Sequence, residues 1–364
     1  MKKNILFILH LPPPTHGSSM VGKYIQDSKQ INTLFVTKYI NLGTSKSIKD
    51  IGKNPLSKIV SYLNIILQTL KHLLKFKPDM VYLAITAKGI GFYKDFVVAF
   101  IIKLFRVQLV LHFHNKGVKL HQDKKIDNFL YKAVFKNAKV ILLSNFLYTD
   151  IQKYVCEQNV YYCANGVPKI DIIDNARNKT NKKVQLLFLS NLIESKGVYI
   201  LLEALGNLQK LGVDFTCNFV GGIGDITENN FNKKVENLQL EKKVFYLGKK
   251  YGKDKEEVFS NSDIFVHPTF EDCFPLVLLE AMQYKLPLVS TFEGAIPEII
   301  ENGSNGFLVE QRNILQLTSK LELLINNEEL RLKMGEDAYL KYLKKYSLNK
   351  FESNLTSILN KSLK

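Results

Sequence analysis

The chain has 364 residues, more than one hydrophobic core usually holds, which predicts two domains of ordinary size. Its net charge of +16 is almost entirely lysine, with Arg only at 106, 177, 312 and 331. Without bidentate arginines, zinc-finger spacing, an aromatic stacking motif or a basic arm, the charge argues against a nucleic-acid partner and leaves an anionic membrane surface to consider.

In chain order, Ile5, Leu6, Phe7, Ile8 and Leu9 form a near-continuous apolar run, as in a parallel strand covered on both faces. A loop stiffened by Pro12, Pro13 and Pro14 follows. It carries Gly17 and Ser18, where backbone can approach a ligand, and leads into a helix expected from about Met20. Residues 56–76 read as a helix with Leu56, Ile59, Val60, Leu63, Ile66, Leu67, Leu70, Leu73 and Leu74 on one stripe, flanked by Lys58, Lys71, Lys75 and Lys77. Packing on a sheet is preferred over lying on a membrane because residues 78–83 read as the next strand. Residues 97–111 are apolar but interrupted by Lys103 and Arg106, hence helix then strand rather than a membrane span. That strand ends in His112 and His114, two residues apart and so on one face, at the edge where open α/β sheets bind ligands.

Residues 169–183 are the most polar interval between two apolar strands and read as a linker. The second half opens on a strand at 186–189, then Ser190, Asn191, Lys196, Gly197 and a periodic helix at 198–205. Lys196 is a point charge suited to a diphosphate at the mouth of a sheet. Further strands end in Val220-Gly221-Gly222 and at 244–248. Asp263, Ile264, Phe265 and Val266 form another, stopped by His267-Pro268. An acidic loop with Glu271 and Asp272 then leads to Pro275, expected in the first turn of a helix whose unpaired N–H groups favour a phosphate or oxygen-rich ligand. Glu280 lies among Leu278, Leu279, Ala281 and Met282, where a carboxylate costs several kcal/mol unless something pairs with it. Beyond 310 the chain reads as helical, and no internal repeat is present. Alternating strands and helices in both halves predict an α/β protein of two doubly wound, Rossmann-like domains facing across a cleft.

The segment 270–282 resembles the signature of retaining glycosyltransferase family 4, a GT-B family that moves a sugar from a nucleotide-sugar donor. The family has a Glu, seven residues and a second Glu; here Asp272, with Glu271 beside it, takes the first place and Glu280 the second. The Lys196-Gly197 pair, Asn165-Gly166-Val167, Gly294 to Glu298 and Asn305-Gly306 fall in the family's order. Two departures are plain: Asn191 stands where the family has Arg, and Ser18 where it has a second Gly.

The resemblance implies that one of the two acids, Glu271 or Asp272, and the amides near Phe274 and Leu276 hold donor sugar hydroxyls. It implies Glu280 on the ribose, and Lys196, Gly17, Ser18, Asn191 and the helix starting near Pro275 around the diphosphate. His114, followed by Asn115, is the better match to the family's strand-end His near the reacting sugar, with His112 in reserve. The catalytic set is then His114, Lys196 and Asp272.

The expected domains are an acceptor-binding domain over 1–168, the linker, a donor-binding domain over 184–338, and a last helix over 339–364 that crosses back to the first domain. The reading is a metal-independent, retaining glycosyltransferase without cofactor, acting from a UDP-sugar on a glycan or lipid-linked acceptor in surface polysaccharide synthesis. No Asp-x-Asp pair is present. A nucleotide-sugar epimerase and a non-catalytic GT-B accessory subunit are the alternatives. The four scattered cysteines lack metal spacing and are expected as reduced thiols. With no secretory signal or membrane span, a cytoplasmic protein is expected, held if at all at the inner membrane face by its lysines.

Overall fold

The computed structural model describes residues 2–43, 55–170 and 183–363, so the central part of the expected linker, 171–182, lies outside the described residues. The chain divides into two compact units, one of Met1–Gly166 with Leu348–Lys364, the other of Val167–Ser347.

The first unit runs β1 (Asn4–Leu9), α1 (Gly17–Asp27), α2 (Lys29–Leu34), β2 (Val36–Asn41), α3 (Pro55–Lys75), β3 (Met80–Ile85), α4 (Gly89–Leu104), β4 (Gln108–Phe113), α5 (Val118–His121), α6 (Lys125–Phe135), β5 (Lys139–Leu142) and β6 (Val160–Tyr162). Its strands pair in parallel in the order β2-β1-β3-β4-β5-β6. β1 and β3 read as unbroken apolar runs because helices cover both faces, leaving Ile5 to Ile8 and Met80 to Leu83 fully inaccessible.

The second unit runs β7 (Val184–Leu189), α7 (Val198–Lys210), β8 (Phe215–Val220), α8 (Glu228–Asn237), β9 (Val244–Tyr246), α9 (Gly252–Ser260), β10 (Ile264–His267), α10 (Leu276–Gln283), β11 (Leu288–Thr291), α11 (Ile296–Ile299), β12 (Gly306–Val309), α12 (Ile314–Asn326) and α13 (Glu328–Lys341). The parallel order is β12-β11-β10-β7-β8-β9. The order reverses direction on the two sides of β7 and β10. The loops after these two neighbouring strands therefore leave the same edge, the position where open α/β sheets gather ligands.

Three expectations are corrected. The helix expected from Met20 starts at Gly17, because His16 caps it, its Nδ1 accepting from Ser19 N at 3.3 Å while Ser19 Oγ accepts from His16 N at 2.9 Å. Pro275 is the N-cap of α10 rather than a first-turn residue. The α3 stripe does not face the sheet: Ile65, Thr69 and Leu73 turn inward, while Ile59, Val60, Leu63, Leu67 and Leu74 are exposed.

The tail also divides later than 339. Residues up to Ser347 stay with the second unit because Tyr342 donates its hydroxyl to Val167 O at 3.2 Å and Tyr346 to Glu298 O at 2.9 Å. Only the final helix, α14 (Leu348–Ser362), groups with the first unit, where Ser353 Oγ reaches Gln30 Oε1 at 3.4 Å. Among the described residues, no helix is long and apolar enough to cross a membrane.

Candidate active site

In the second unit, β7 delivers Lys196 through a short turn, Glu194–Lys196, and β10 delivers the acidic loop. Phe270 N donates to Ser195 O at 2.9 Å and Thr269 Oγ1 to the same carbonyl at 3.0 Å, so the two loops are bound to each other. Gly197 makes this approach possible. Its φ is +84°, and a Cβ there would lie 2.1 Å from Pro268 O.

Lys196 Nζ is 2.7 Å from Asp272 Oδ2 and 2.8 Å from Glu271 O. Of the two acids, Asp272 presents its carboxylate to Lys196, and Glu271 presents its main-chain carbonyl. Asp272 is held on all sides. His267 Nε2 lies 3.4 Å from Oδ2, Cys273 N donates to Oδ1 at 2.9 Å, and Asp272 N donates to Glu293 Oε1 at 3.0 Å. Gln311 Nε2 in turn donates to Glu293 Oε2 at 2.7 Å. Burial by itself would raise the Asp272 carboxyl, but the His267 hydrogen bond and the Lys196 charge outweigh it and hold it down at about 2.

Two more cations lie on neighbouring segments. A Cβ built on Gly222 would stand 3.0 Å from Asn191 Oδ1 and 3.2 Å from Lys249 Nζ, so an ammonium lies beside the position where the family's Arg is replaced by Asn. Asn191 itself is structural in part, its Oδ1 accepting from Gly222 N at 2.9 Å and tying the ends of β7 and β8 together. Arg312 stacks over Phe270, its Cζ 4.2 Å from the ring centroid.

Glu280 lies on α10 and pairs with Lys255 of α9 at 2.6 Å, which supplies the partner its apolar turn required. Phe274 is buried against Tyr346, ring centroids 6.1 Å apart, so its side chain anchors the loop. Leu276 opens α10.

The first unit has a different sheet edge. The rings of His112 and His114 pack against each other at a tilt of 37° with centroids 4.2 Å apart, and those of His10 and His16 lie 6.1 Å apart. Burial and the neighbouring His10 and His16 lower the His114 pKa to about 3, and burial with His16 and Lys94 lowers His10 to about 4. Both rings are neutral at pH 7. Tyr82 is hydrogen-bonded to His112 Nδ1, while His112 Nε2 and His114 Nδ1 are buried without a hydrogen-bond partner among the described residues. Gly17 and Ser18 begin α1 in this same unit, with Ser18 Oγ 3.0 Å from His16 Nδ1.

A sequence model of the family described as glycosyl transferases group 1 matches residues 169–341. The N-acetyl-alpha-D-glucosaminyl L-malate synthase of Bacillus anthracis is 33% identical over 269 residues, which span 70% of this chain and 68% of that one. The chain belongs to the group 1 glycosyl transferases. A colanic acid biosynthesis glycosyltransferase of Escherichia coli, WcaL, named as putative in that role, is 24% identical over 226 residues, 59% of this chain and 55% of its own length. The match to that relative therefore spans about half of it. The structure of HepE from Anabaena in complex with UDP and glucose superposes with a TM-score of 0.73 at 18% identity, covering 98% of this chain and 99% of that one. This likeness shows the fold, and with it the two sheets are those of a GT-B glycosyltransferase.

Against that family frame, the sequence pointed to Lys196, Asp272 and Glu280 but missed the partners Lys255 and Glu293, with Gln311 behind Glu293, and the neighbouring cations Lys249 and Arg312. One local signal was available. Glu293 precedes Gly294, whose φ of +53° brings the chain against Asp272 O and Cys273 O. An acid beside such a glycine at a strand end marks a loop packed on another loop.

Proposed function

We propose that this glycosyltransferase takes the sugar of a UDP-sugar, with retention at the anomeric carbon and without a divalent ion, and delivers it to a hydroxyl of a glycan or lipid-linked acceptor in surface polysaccharide synthesis. The observation that carries the reading is the Lys196 ammonium held at 2.7 Å on Asp272 in the loop that leads into α10. The UDP and glucose in the HepE complex and the colanic acid role named for WcaL support the choice of donor and pathway class.

In this reading the departing diphosphate is met by Lys196, Lys249 and the N-terminal amides of α10, fixed charges and dipoles in place of a metal. Asp272, ionised and held by His267 and Cys273 N, accepts hydrogen bonds from donor sugar hydroxyls. Glu280, oriented by Lys255, accepts from the ribose. The resemblance assigns His114 to the reacting sugar, and a neutral ring suits hydrogen bonding to a hydroxyl there better than a cation would. As the C–O bond to UDP breaks, the anomeric carbon gains positive character. The acceptor oxygen then attacks from the face UDP leaves, its proton passing to the departing phosphate.

The test is a thermal-shift series with UDP-, GDP- and ADP-sugars in the presence of EDTA, followed by anomeric analysis of the product by NMR. A ligand at a hundredfold excess over Kd should stabilise by about 2.7 kcal/mol. A UDP-sugar shift that Glu280→Gln removes, with a retained anomer, is expected. No shift with any donor, an inverted product, loss of turnover on chelation, or an epimer formed from donor alone would each overturn the corresponding part.

A further inference from the structure

In the first unit, the connections β2 to β3, β3 to β4 and β4 to β5 all step the same way along the sheet. Right-handed crossovers therefore put α3, α4 and α6 on one face. They form one layer: Tyr62 of α3 donates to Lys94 O of α4 at 2.8 Å, and Tyr93 of α4 to Asp127 Oδ1 of α6 at 2.6 Å.

α4 is apolar on two opposite sides. Phe92, Val98, Ala99 and Ile102 are buried on the sheet, while Ile90, Val97, Phe100 and Leu104, at the 3- and 4-residue spacing of a second stripe, are 78%, 39%, 48% and 66% exposed. A helix packed on one side normally turns polar residues to water. The neighbouring helices continue the pattern, with Leu63 and Leu67 of α3 and Ile126 and Phe129 of α6 exposed.

The charge on this layer has one sign. Residues 55–136 contain fourteen Lys and Arg against four Asp and no Glu. Asp95 and Asp127 are buried, and Asp79 and Asp123 lie within salt-bridge distance of Lys3 and Lys153. Lys71, Lys75, Lys119, Lys125, Lys132 and Lys136 are exposed around the apolar residues.

We propose that the α3–α4–α6 face docks on an anionic lipid bilayer, Phe100, Leu104, Ile126 and Phe129 entering the headgroup–acyl boundary and the lysines meeting lipid phosphates. Lysine suits this role because its long apolar stem lies along the membrane surface while the ammonium stays in water. A second copy of the chain would bring like charges together, so the one-sided charge favours lipid. This inference rests on the first unit alone and stands apart from the donor reading in the second.

The test is sedimentation of the full chain with vesicles of phosphatidylglycerol and phosphatidylcholine in equal parts, and with phosphatidylcholine alone. The chain is expected to pellet with the anionic vesicles and several-fold less with the neutral ones. The double variant Phe100→Glu, Phe129→Glu should lose most of the partitioning. Lys125→Glu and Lys132→Glu, at exposed positions of α6, should each lower it about fivefold or more. A thermal shift with UDP-sugar, measured on every variant, reports the second unit separately, so failure here leaves the donor reading untouched and the reverse. Protein that stays in the supernatant with anionic vesicles, charge-reversal variants that pellet like the parent, or a lipid-indifferent dimer that the phenylalanine variants dissociate would overturn the proposal.

Discussion

The two sheets end in opposite chemistries. At the edge of the first, four histidines gather where burial keeps the rings of His10 and His114 neutral; at the edge of the second, Lys196 and Asp272 are both charged and held together at 2.7 Å. The difference comes from pairing. A buried group without a counter-charge shifts toward its neutral form, whereas Asp272 sits between His267, Lys196 and the Cys273 amide and stays ionised despite its burial. One edge is thus suited to hydrogen-bonding neutral hydroxyls, and the other to stabilising a charged leaving group.

The sharpest way to break this contrast is Lys196→Ala, which leaves Asp272 without its ammonium and, in the proposed reading, removes the cation assigned to the leaving diphosphate. A loss of about 10²- to 10³-fold in kcat is expected, by analogy with removal of one preorganised donor at a developing charge. Steady-state kinetics that leave kcat within a factor of a few would end the contrast as drawn.

Next in size is Gly197→Ala. The added methyl would stand 2.1 Å from Pro268 O at a backbone φ of +84°, so the two loops that hold the charged pair must separate. Destabilisation of roughly 3 kcal/mol is expected from strain and overpacking combined, read as a lowered denaturant midpoint. An unchanged midpoint would mean the loops are not locked together.

Acid distinguishes the two edges directly. His10 and His114 have folded values of about 4 and about 3, below the ordinary 6.5, so on acidification the unfolded chain takes up protons first. Stability is whole above pH 6.5 and falls as pH drops from there toward 4. For Asp272, lowered to about 2 from 3.8, stability is whole above pH 3.8 and is lost only as pH falls through 2. Between pH 7.5 and 5 the first unit should therefore lose about 2 kcal/mol through each of these two histidines, about 4 in all, while the Asp272 pair contributes no change. Unfolding followed across this range should show the loss, and His114→Gln should roughly halve it, His10 keeping its share.

The smallest expected effect is at Lys249. If its ammonium supplies the charge absent at Asn191, Lys249→Ala should raise the donor KM about fivefold, the effect of one partly exposed charge contact of about 1 kcal/mol. An unchanged KM would mean that Lys249 does not meet the diphosphate.

Much of the fold was legible. β1, β3, β7 and β10 follow from apolar runs, because a parallel strand covered on both faces leaves little room for polar residues. Lys196, Asp272 and Glu280 were legible because charged residues in apolar surroundings or at strand ends stand out from their neighbours. Their partners were not. Lys255 and Glu280 are 25 positions apart, Asp272 and Glu293 are 21, and Lys196 and Asp272 are 76, and nothing in local periodicity joins them. The α3 stripe was misassigned for a related reason: Leu63 and Leu67 look like core on their own helix, and only the neighbouring α4 and the sheet decide which side faces inward.

By itself, the sequence determined two doubly wound parallel sheets and the chemical types at their edges, since strand pattern and turn residues act over a few positions. The strand order β12-β11-β10-β7-β8-β9 was decided only in three dimensions, and it is this order that sets the Lys196 loop beside the Asp272 loop. Tertiary packing likewise chose Asp272 over Glu271 as the lysine's carboxylate partner, paired Glu280 with Lys255 and left one face of the first unit apolar and cationic. Each of these outcomes depends on which distant side chains share a buried volume, and that is set by how elements stack, not by the spacing of residues along the chain.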